Sequence, residues 1–303
     1  MPAQLLKGAP VAAGIRERSA AAAALLREQA GVSPTLATIR VGADPSAGAY
    51  RSSIERSAAR AGVEHLAVSL PESIGPEAFV AEIHRANADP GIHGVLMLAP
   101  LPPHLAPELV IEHLDPMKDV DGITPLNAGR LNLGLPSLRP STPQGGIELL
   151  DHYAIPIAGR NAVVIGRSNV VGKPMAALLT ARHATVTVCH RQSPDYSGAI
   201  RNASLVVLAA GCPGLLHGSQ LSPGTTVVDF GINVVGDGIV GDADAASVME
   251  AAAAYTPVPG GAGPVTVMVL ARNTVAAAFA SLGEPFSAEP AESAWPGAGA
   301  APD

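Results

Sequence analysis

Asn161-Ala-Val-Val-Ile-Gly166-Arg-Ser-Asn-Val-Val-Gly172-Lys-Pro174 reads as a short apolar strand, a glycine turn and the first turn of a helix. Such a turn lets backbone N–H groups and the helix N-terminus approach a pyrophosphate, where the helix dipole favours negative charge. Its glycine spacing departs from GxGxxG, so on spacing alone a dinucleotide site and a structural turn both remain open. Around it lies a series of strand-like segments near Ala162–Ile165, Thr185–Cys189, Leu205–Ala209 and Thr226–Asp229, which together predict a nucleotide-binding sheet. At the end of the second strand, where an acid would hold the ribose 2′-OH of NAD, the chain has His190-Arg191-Gln192-Ser193. A cation there, together with Arg167 and Ser168, suits a 2′-phosphate and favours NADP. The alternative is that Arg191 is a solvated surface charge.

Upstream, strand-like and helix-like segments alternate, the pattern of a parallel sheet with covering helices. Helices are predicted over Val11–Ala30, Ala49–Ala61 and from Pro76 to about Ala88, with strands over Thr35–Val41, Glu64–Leu70 and Gly94–Leu98. Between Lys118 and Gly146 the texture changes to turns, marked by Lys118-Asp-Val-Asp-Gly122, Asn127-Ala-Gly129 and Leu138-Arg-Pro-Ser-Thr-Pro143. This stretch is read as the joint between a substrate domain over residues 1–142 and a nucleotide domain over 143–264. A last helix is expected from Val265 to about Ser281. From Gly283 to Asp303 the chain has too few large apolar residues to offset its ordering entropy, which predicts a disordered tail.

The bulk numbers agree with an α/β protein of two domains. A length of 303 residues allows two cores, and 48% hydrophobic with 3% aromatic residues makes those cores aliphatic. A net charge of −7 supplies no basic field for phosphates, so no nucleic-acid partner is expected. Cys189 and Cys212 lack paired or ligand-like spacing, which implies a reducing compartment and core positions at strand ends. The nine histidines show no ligand spacing, so no metal is expected. Met97 and Met117 read as packing residues, and Ser168 lacks the partners of an acyl-transfer nucleophile. No apolar run resembles a signal peptide or a membrane span; the expected location is the cytoplasm, without membrane contact.

Several further motifs, ordered along the chain from about Leu36 to Thr274, narrow the reading. They are Asp89-Pro-Gly-Ile-His-Gly94, Pro100-Leu-Pro102, Lys118-Asp-Val-Asp-Gly122, Thr142-Pro143, the Gly166–Pro174 turn, Ala184-Thr-Val-Thr-Val-Cys-His190, Gly231-Ile-Asn233 and Thr256-Pro-Val-Pro-Gly-Gly-Ala-Gly-Pro-Val-Thr266. With these the chain resembles the bifunctional methylenetetrahydrofolate dehydrogenase/cyclohydrolase family. The resemblance implies two three-layer αβα domains around a cleft, the second Rossmann-like. It also implies a final helix packing back on the first domain and a homodimer formed through the nucleotide domains. The implied reaction oxidises 5,10-methylenetetrahydrofolate with NADP and then hydrolyses the methenyl product to 10-formyltetrahydrofolate. Tyr50 and Asp121 are the implied catalytic pair, Asp121 accepting from the donor edge of the pterin and Tyr50 lying against the aminobenzoate ring. Met97, Pro100, Gly263 and Pro264 are implied at the folate, the last two in a turn closing over it. The implied cofactor residues are Thr142, Gly166, Arg167, Ser168, Val171, Gly172, Pro174, His190, Arg191, Ser193, Ile232 and Thr266.

Departures from the family pattern qualify the activity. Four residues after Tyr50 the family has a lysine that serves the cyclohydrolase step; this chain has Ile54. The glutamine that hydrogen-bonds that lysine is replaced by Leu98. Exchanging both partners of a polar pair for aliphatic groups leaves neither as a buried orphan. The cyclohydrolase activity is therefore expected to be lost or strongly impaired, and the dehydrogenase activity retained. Thr124, Ser141 and Gln144 replace a histidine, a cysteine and a lysine. Two alternatives stay open: an NADP-dependent oxidoreductase on another cyclic imine or iminium, and a non-catalytic folate- or NADP-binding protein.

Overall fold

The computed structural model describes residues 2–236 and 238–283. In chain order the elements are β1 (Gln4–Leu5), α1 (Gly8–Ala30), β2 (Thr35–Val41), α2 (Pro45–Arg60), β3 (Glu64–Leu70), α3 (Pro76–Ala88), β4 (Gly94–Met97), α4 (Glu108–His113), α5 (Pro125–Asn132) and α6 (Ser141–His152). They continue with β5 (Asn161–Ile165), α7 (Gly172–Ala181), β6 (Thr185–Cys189), α8 (Ser197–Asn202), β7 (Leu205–Leu208), β8 (Thr226–Asp229), β9 (Asn233–Val235), β10 (Gly238–Val240), α9 (Ala245–Ala251), β11 (Ala254–Tyr255) and α10 (Ala262–Ser281). The chain divides into two compact α/β units. One comprises Met1–Ala13 with Thr142–Thr266; the other comprises Gly14–Ser141 and the chain from Val267 onward.

The first unit is built on a six-stranded sheet in the order β1-β11-β8-β7-β5-β6, all of whose paired neighbours run parallel. Parallel strands covered on both faces read as continuous apolar runs, and β7 (Leu205–Leu208) is buried at every position. The chain leaves β5 toward β6 on one side, then crosses to β7 on the other. That reversal puts the switch point of the sheet between β5 and β7, beyond their carboxyl ends, where ligands of such sheets bind.

The second unit carries a parallel three-stranded sheet, β3-β2-β4, in which Leu36 pairs both His65 and Gly94. Its apolar core gathers Ala37, Ile39, Phe79, Ile83, Val95 and Leu105. The C-terminal part of α10 belongs to this unit. Asn273 Nδ2 donates to the carbonyls of Val120 (2.8 Å) and Arg139 (3.0 Å). α10 is long and apolar enough by composition to cross a membrane, but 78% of its apolar 18-residue stretch is buried inside the protein, so it reads as a core helix.

Several expectations need correction. The segment read as turns between Lys118 and Gly146 contains α5 and the start of α6. Glycines misled that reading. Gly129 sits inside α5, and Gly146 is a packing residue, since a Cβ there would lie 2.4 Å from Cζ of Phe230. The first thirteen residues belong with the nucleotide unit because β1 pairs with β11, Gln4 opposite Ala254. Two-residue strands carry no period to read. Cys189 is buried at the end of β6 as expected, whereas Cys212 is exposed in a loop. Met117 is 47% exposed and so is not a packing residue. The expected turn at Gly263-Pro264 is the first turn of α10. The tail expected to be disordered lies, beyond Gly283, outside the described residues.

Two helix ends share an unusual chemistry. After α6, Ala154 N donates to Asp151 O (3.0 Å) and Ile155 N to Leu150 O (2.8 Å); after α7, His183 N donates to Thr180 O and Ala184 N to Leu179 O, both at 3.0 Å. These paired bonds define Schellman ends, whose left-handed residue is usually glycine. Here Ala154 (φ 51°) and His183 (φ 64°) hold that conformation. Replacing either by glycine removes Cβ strain at some cost in unfolded-state entropy, a net gain of about 0.5–1 kcal/mol. Calorimetry of Ala154→Gly and His183→Gly should show transitions raised by about 1–3 °C. An unchanged or lowered transition for both would contradict this account.

Candidate functional site

At the carboxyl end of β5 the backbone folds through a position that only glycine fills. Gly166 has φ 134°, and a Cβ on it would lie 2.1 Å from the carbonyl oxygen of Ala209, beyond β7. A Cβ on Gly172 would lie 2.2 Å from the carbonyl oxygen of Gly166. The loop after β5, the loop after β7 and the N-terminus of α7 thus meet at the switch point, within one unit. Ser168 Oγ accepts from Val171 N (3.1 Å) and Gly172 N (3.3 Å), fixing the turn, while Arg167, Ser168 and Val170 stay exposed. Pro174 is buried in the first turn of α7, where its missing N–H costs nothing. This cradle fits the pyrophosphate of a dinucleotide.

At the end of β6, His190 N donates to Ser193 Oγ (3.1 Å), Gln192 N donates to His190 Nδ1 (3.2 Å) and Ser193 N donates to His190 O (2.7 Å). His190 and Ser193 therefore shape a tight turn with Arg191 exposed at its tip. Ile232 is 71% exposed beyond β8. Thr266 Oγ1 lies 3.5 Å from Thr142 Oγ1 and donates to Ala262 O (3.2 Å), all in the same unit.

The second unit holds Tyr50 on α2, Met97 at the end of β4 and Asp121 on a hydrogen-bonded loop. Asp119, fully buried, accepts from Ile123 N (3.1 Å), Thr124 N (2.8 Å), Thr124 Oγ1 (2.7 Å) and Asn127 Nδ2 (3.0 Å). Gly122 turns the loop at φ 60°, and a Cβ there would come 2.6 Å from Leu138 O. Two residues from Asp119 along this braced loop, Asp121 accepts from Ser141 Oγ at 2.6 Å. Burial pushes the Asp121 carboxyl up to about 6, against the Ser141 hydrogen bond that lowers it, while neighbouring Asp119 raises it further. Tyr50 shows 39% of its surface, yet desolvation first, and then the Asp121 carboxylate, hold its hydroxyl above the ordinary phenol range. The Asp121 carboxylate thus acts on the Tyr50 hydroxyl electrostatically.

One turn along α2 from Tyr50, Ile54 is 1% exposed, and so is Leu98 after β4. Met97 is partly buried against the core of the same unit and Pro100 is exposed. Gly263 and Pro264 belong to the other unit. Sequence reasoning missed Ser141 as the partner of Asp121, the Asp119 brace and the loop after β7. The pair Asp119/Asp121, two carboxylates two residues apart in a turn, was the available signal for the brace.

A switch-point glycine cradle in one α/β unit and a braced tyrosine–aspartate pair in the other define a two-domain, dinucleotide-dependent type of enzyme. The tetrahydrofolate dehydrogenase/cyclohydrolase catalytic domain matches residues 6–121, and the NAD(P)-binding domain of the same family matches residues 140–282. The chain belongs to the tetrahydrofolate dehydrogenase/cyclohydrolase family. It is 50% identical to the bifunctional protein FolD of Herpetosiphon aurantiacus over 230 residues, 76% of this chain and 80% of that protein. The crystal structure of the bifunctional FolD of Campylobacter jejuni superposes with a TM-score of 0.88 at 40% identity, covering 91% of this chain and 98% of that one. The Trypanosoma brucei enzyme, solved with NADP cofactor and an inhibitor, gives a TM-score of 0.89 at 34% identity, covering 94% and 100%.

Proposed function

We propose that this chain is an NADP-dependent dehydrogenase that converts 5,10-methylenetetrahydrofolate to the 5,10-methenyl form, and that it has lost the cyclohydrolase step. The observation that carries the reading is the pair of aliphatic side chains, Ile54 and Leu98, each 1% exposed, in the unit that also holds Tyr50 and Asp121. A lysine buried to that degree needs a fixed acceptor, and an isoleucine needs none.

The two reactions place different demands on the chain. Oxidation takes a hydride from the methylene carbon and leaves an amidinium-type cation, so the protein neither gives nor takes a proton. Bound NADP supplies the hydride acceptor; Gly166, Arg167, Ser168 and Gly172 would cradle its phosphates, and Arg191 would meet the 2′-phosphate. The chain's own work is positioning: Asp121 accepts from the pterin's donors, and Tyr50 lies along the aminobenzoate. Hydrolysis instead adds water to the cation and must remove a proton from it. Ile54 and Leu98 have no group that can take that proton.

The testing experiment incubates purified protein with 5,10-methylenetetrahydrofolate and NADP, follows NADPH, and separates methenyl- from 10-formyltetrahydrofolate beside an enzyme-free control. NADPH formation with hydrolysis at the control rate is expected. Absence of NADPH would overturn the dehydrogenase reading and move the assignment to another iminium or a binding role.

A further inference from the structure

The loop after β7 has little packing of its own. Ala210, Gly211 and Cys212 are all exposed, yet their backbone is held from below by one carboxylate. Asp242, fully buried, accepts from Ala210 N (2.7 Å) and Gly211 N (3.0 Å) through Oδ2, and from Cys212 N (2.9 Å) through Oδ1. Asn233 Nδ2 adds a fourth donor to Oδ1 at 2.9 Å. Asp242 is itself fixed, because its backbone N–H donates to Asp229 Oδ1 (3.0 Å). The space around it admits no side chain: a Cβ on Gly231 would lie 2.4 Å from Asp242 Oδ1, and one on Gly241 would lie 2.1 Å from Asp229 Oδ2. Ala209, at the base of the clamped loop, is the residue whose carbonyl oxygen closes on Gly166.

We propose that Asp242 is a positioning residue for the nucleotide, holding the Ala210–Cys212 loop as one wall of the switch-point crevice opposite the Gly166 turn. The inference rests on the NADP reading above. Three N–H groups converging on one buried carboxylate set the path of an exposed loop whose flanks are tied by Ala209 N to Ile165 O and Leu215 N to Asp242 O, and a ligand entering between β5 and β7 must pass that wall. A different job falls to Asp244, two residues on. Its side chain caps α9 by accepting from Ser247 N (2.9 Å), while its backbone N–H donates to Leu216 O (2.8 Å), farther along the connection than Ala210–Cys212.

The test compares NADPH affinity, by fluorescence titration, in the unsubstituted protein, Asp242→Asn and Asp244→Ala. Asp242→Asn should weaken NADPH binding at least tenfold and raise the KM for NADP by a similar factor. Its kcat should stay within about threefold and its affinity for a folate analogue should be unchanged. Asp244→Ala should lower the melting temperature without changing NADPH affinity. If Asp242→Asn binds NADPH as the parent does, or if Asp244→Ala loses as much affinity, the positioning role is wrong. Failure of the parent protein to bind NADPH would instead remove the NADP reading beneath it. Hydrogen exchange on the unsubstituted protein gives a check that needs no variant. The amides of Gly211 and Cys212 should be protected despite their exposed side chains, and exchange at open-loop rates would overturn the clamp.

Discussion

The doubly substituted protein Ile54→Lys/Leu98→Gln is expected to hydrolyse 5,10-methenyltetrahydrofolate at least about 10²-fold faster than the unsubstituted chain, whose rate should match buffer alone. A positioned acid or base contributes roughly 10²–10⁴ in rate, about 3–5 kcal/mol of barrier. The single changes should fail for separate reasons. Ile54→Lys places an ammonium at a position with 1% exposure and no paired amide, and an uncompensated buried charge costs about 3–5 kcal/mol of stability. Leu98→Gln buries an amide with unmet partners, at about 1–3 kcal/mol. If the two groups meet in the double variant, its stability loss is smaller than the sum, with a coupling of about 1 kcal/mol or more in denaturant unfolding. A folded double variant with hydrolysis at the buffer rate would refute the assignment of these two positions to the lost step.

The middle of the nucleotide unit was legible because β5, β7 and β8 are buried and read as largely apolar runs, β8 being placed to the residue; β6, an exposed edge strand, was placed from its Thr/Val alternation. In the other unit β2 and β3 were placed as well, β2 from its β-branched residues and both from the Pro and Gly that bound them. What stayed hidden shares a cause. α6 contains two glycines that pack closely and α5 one that faces open space, yet glycine in a sequence signals a turn. β1 and β11 are too short to show a period, and their pairing joins residues about 250 positions apart. The same distance problem hides the candidate site. Asp121 and Ser141 meet across twenty positions, and Asp242 reaches back about thirty to the loop after β7. Thr124 and Ser141 stood in the sequence only as departures from the family pattern. In the fold both hydroxyls are engaged, Thr124 Oγ1 on Asp119 and Ser141 Oγ on Asp121.

Asp121 carries the second large effect. Asp121→Asn should weaken binding of a folate analogue about 10–10²-fold, because hydrogen bonds to a charged acceptor contribute about 1.5–3 kcal/mol. The pH dependence is the sharper signature. With its carboxyl at about 6 in the folded protein, Asp121 is protonated below that pH and cannot accept from both pterin donors. Plotted against pH, kcat/KM for the folate should therefore climb tenfold per unit up to about 6 and level off above. Asp121→Asn should remove the break. Ser141→Ala, which deletes the hydrogen bond favouring the ionised form, should move the break to higher pH. The same group makes a stability statement of opposite sense. A folded value of about 6 against an ordinary 3.8 means that the folded state holds the proton more tightly. This site's contribution to stability is thus fully present below about pH 4 and is lost as the pH rises through about 6. Stability thus falls over the interval in which folate binding improves, as expected of a carboxylate kept in a desolvated place for binding. A folate profile with no break between pH 5 and 7, or a break unmoved in Ser141→Ala, would remove Asp121 from the pterin site.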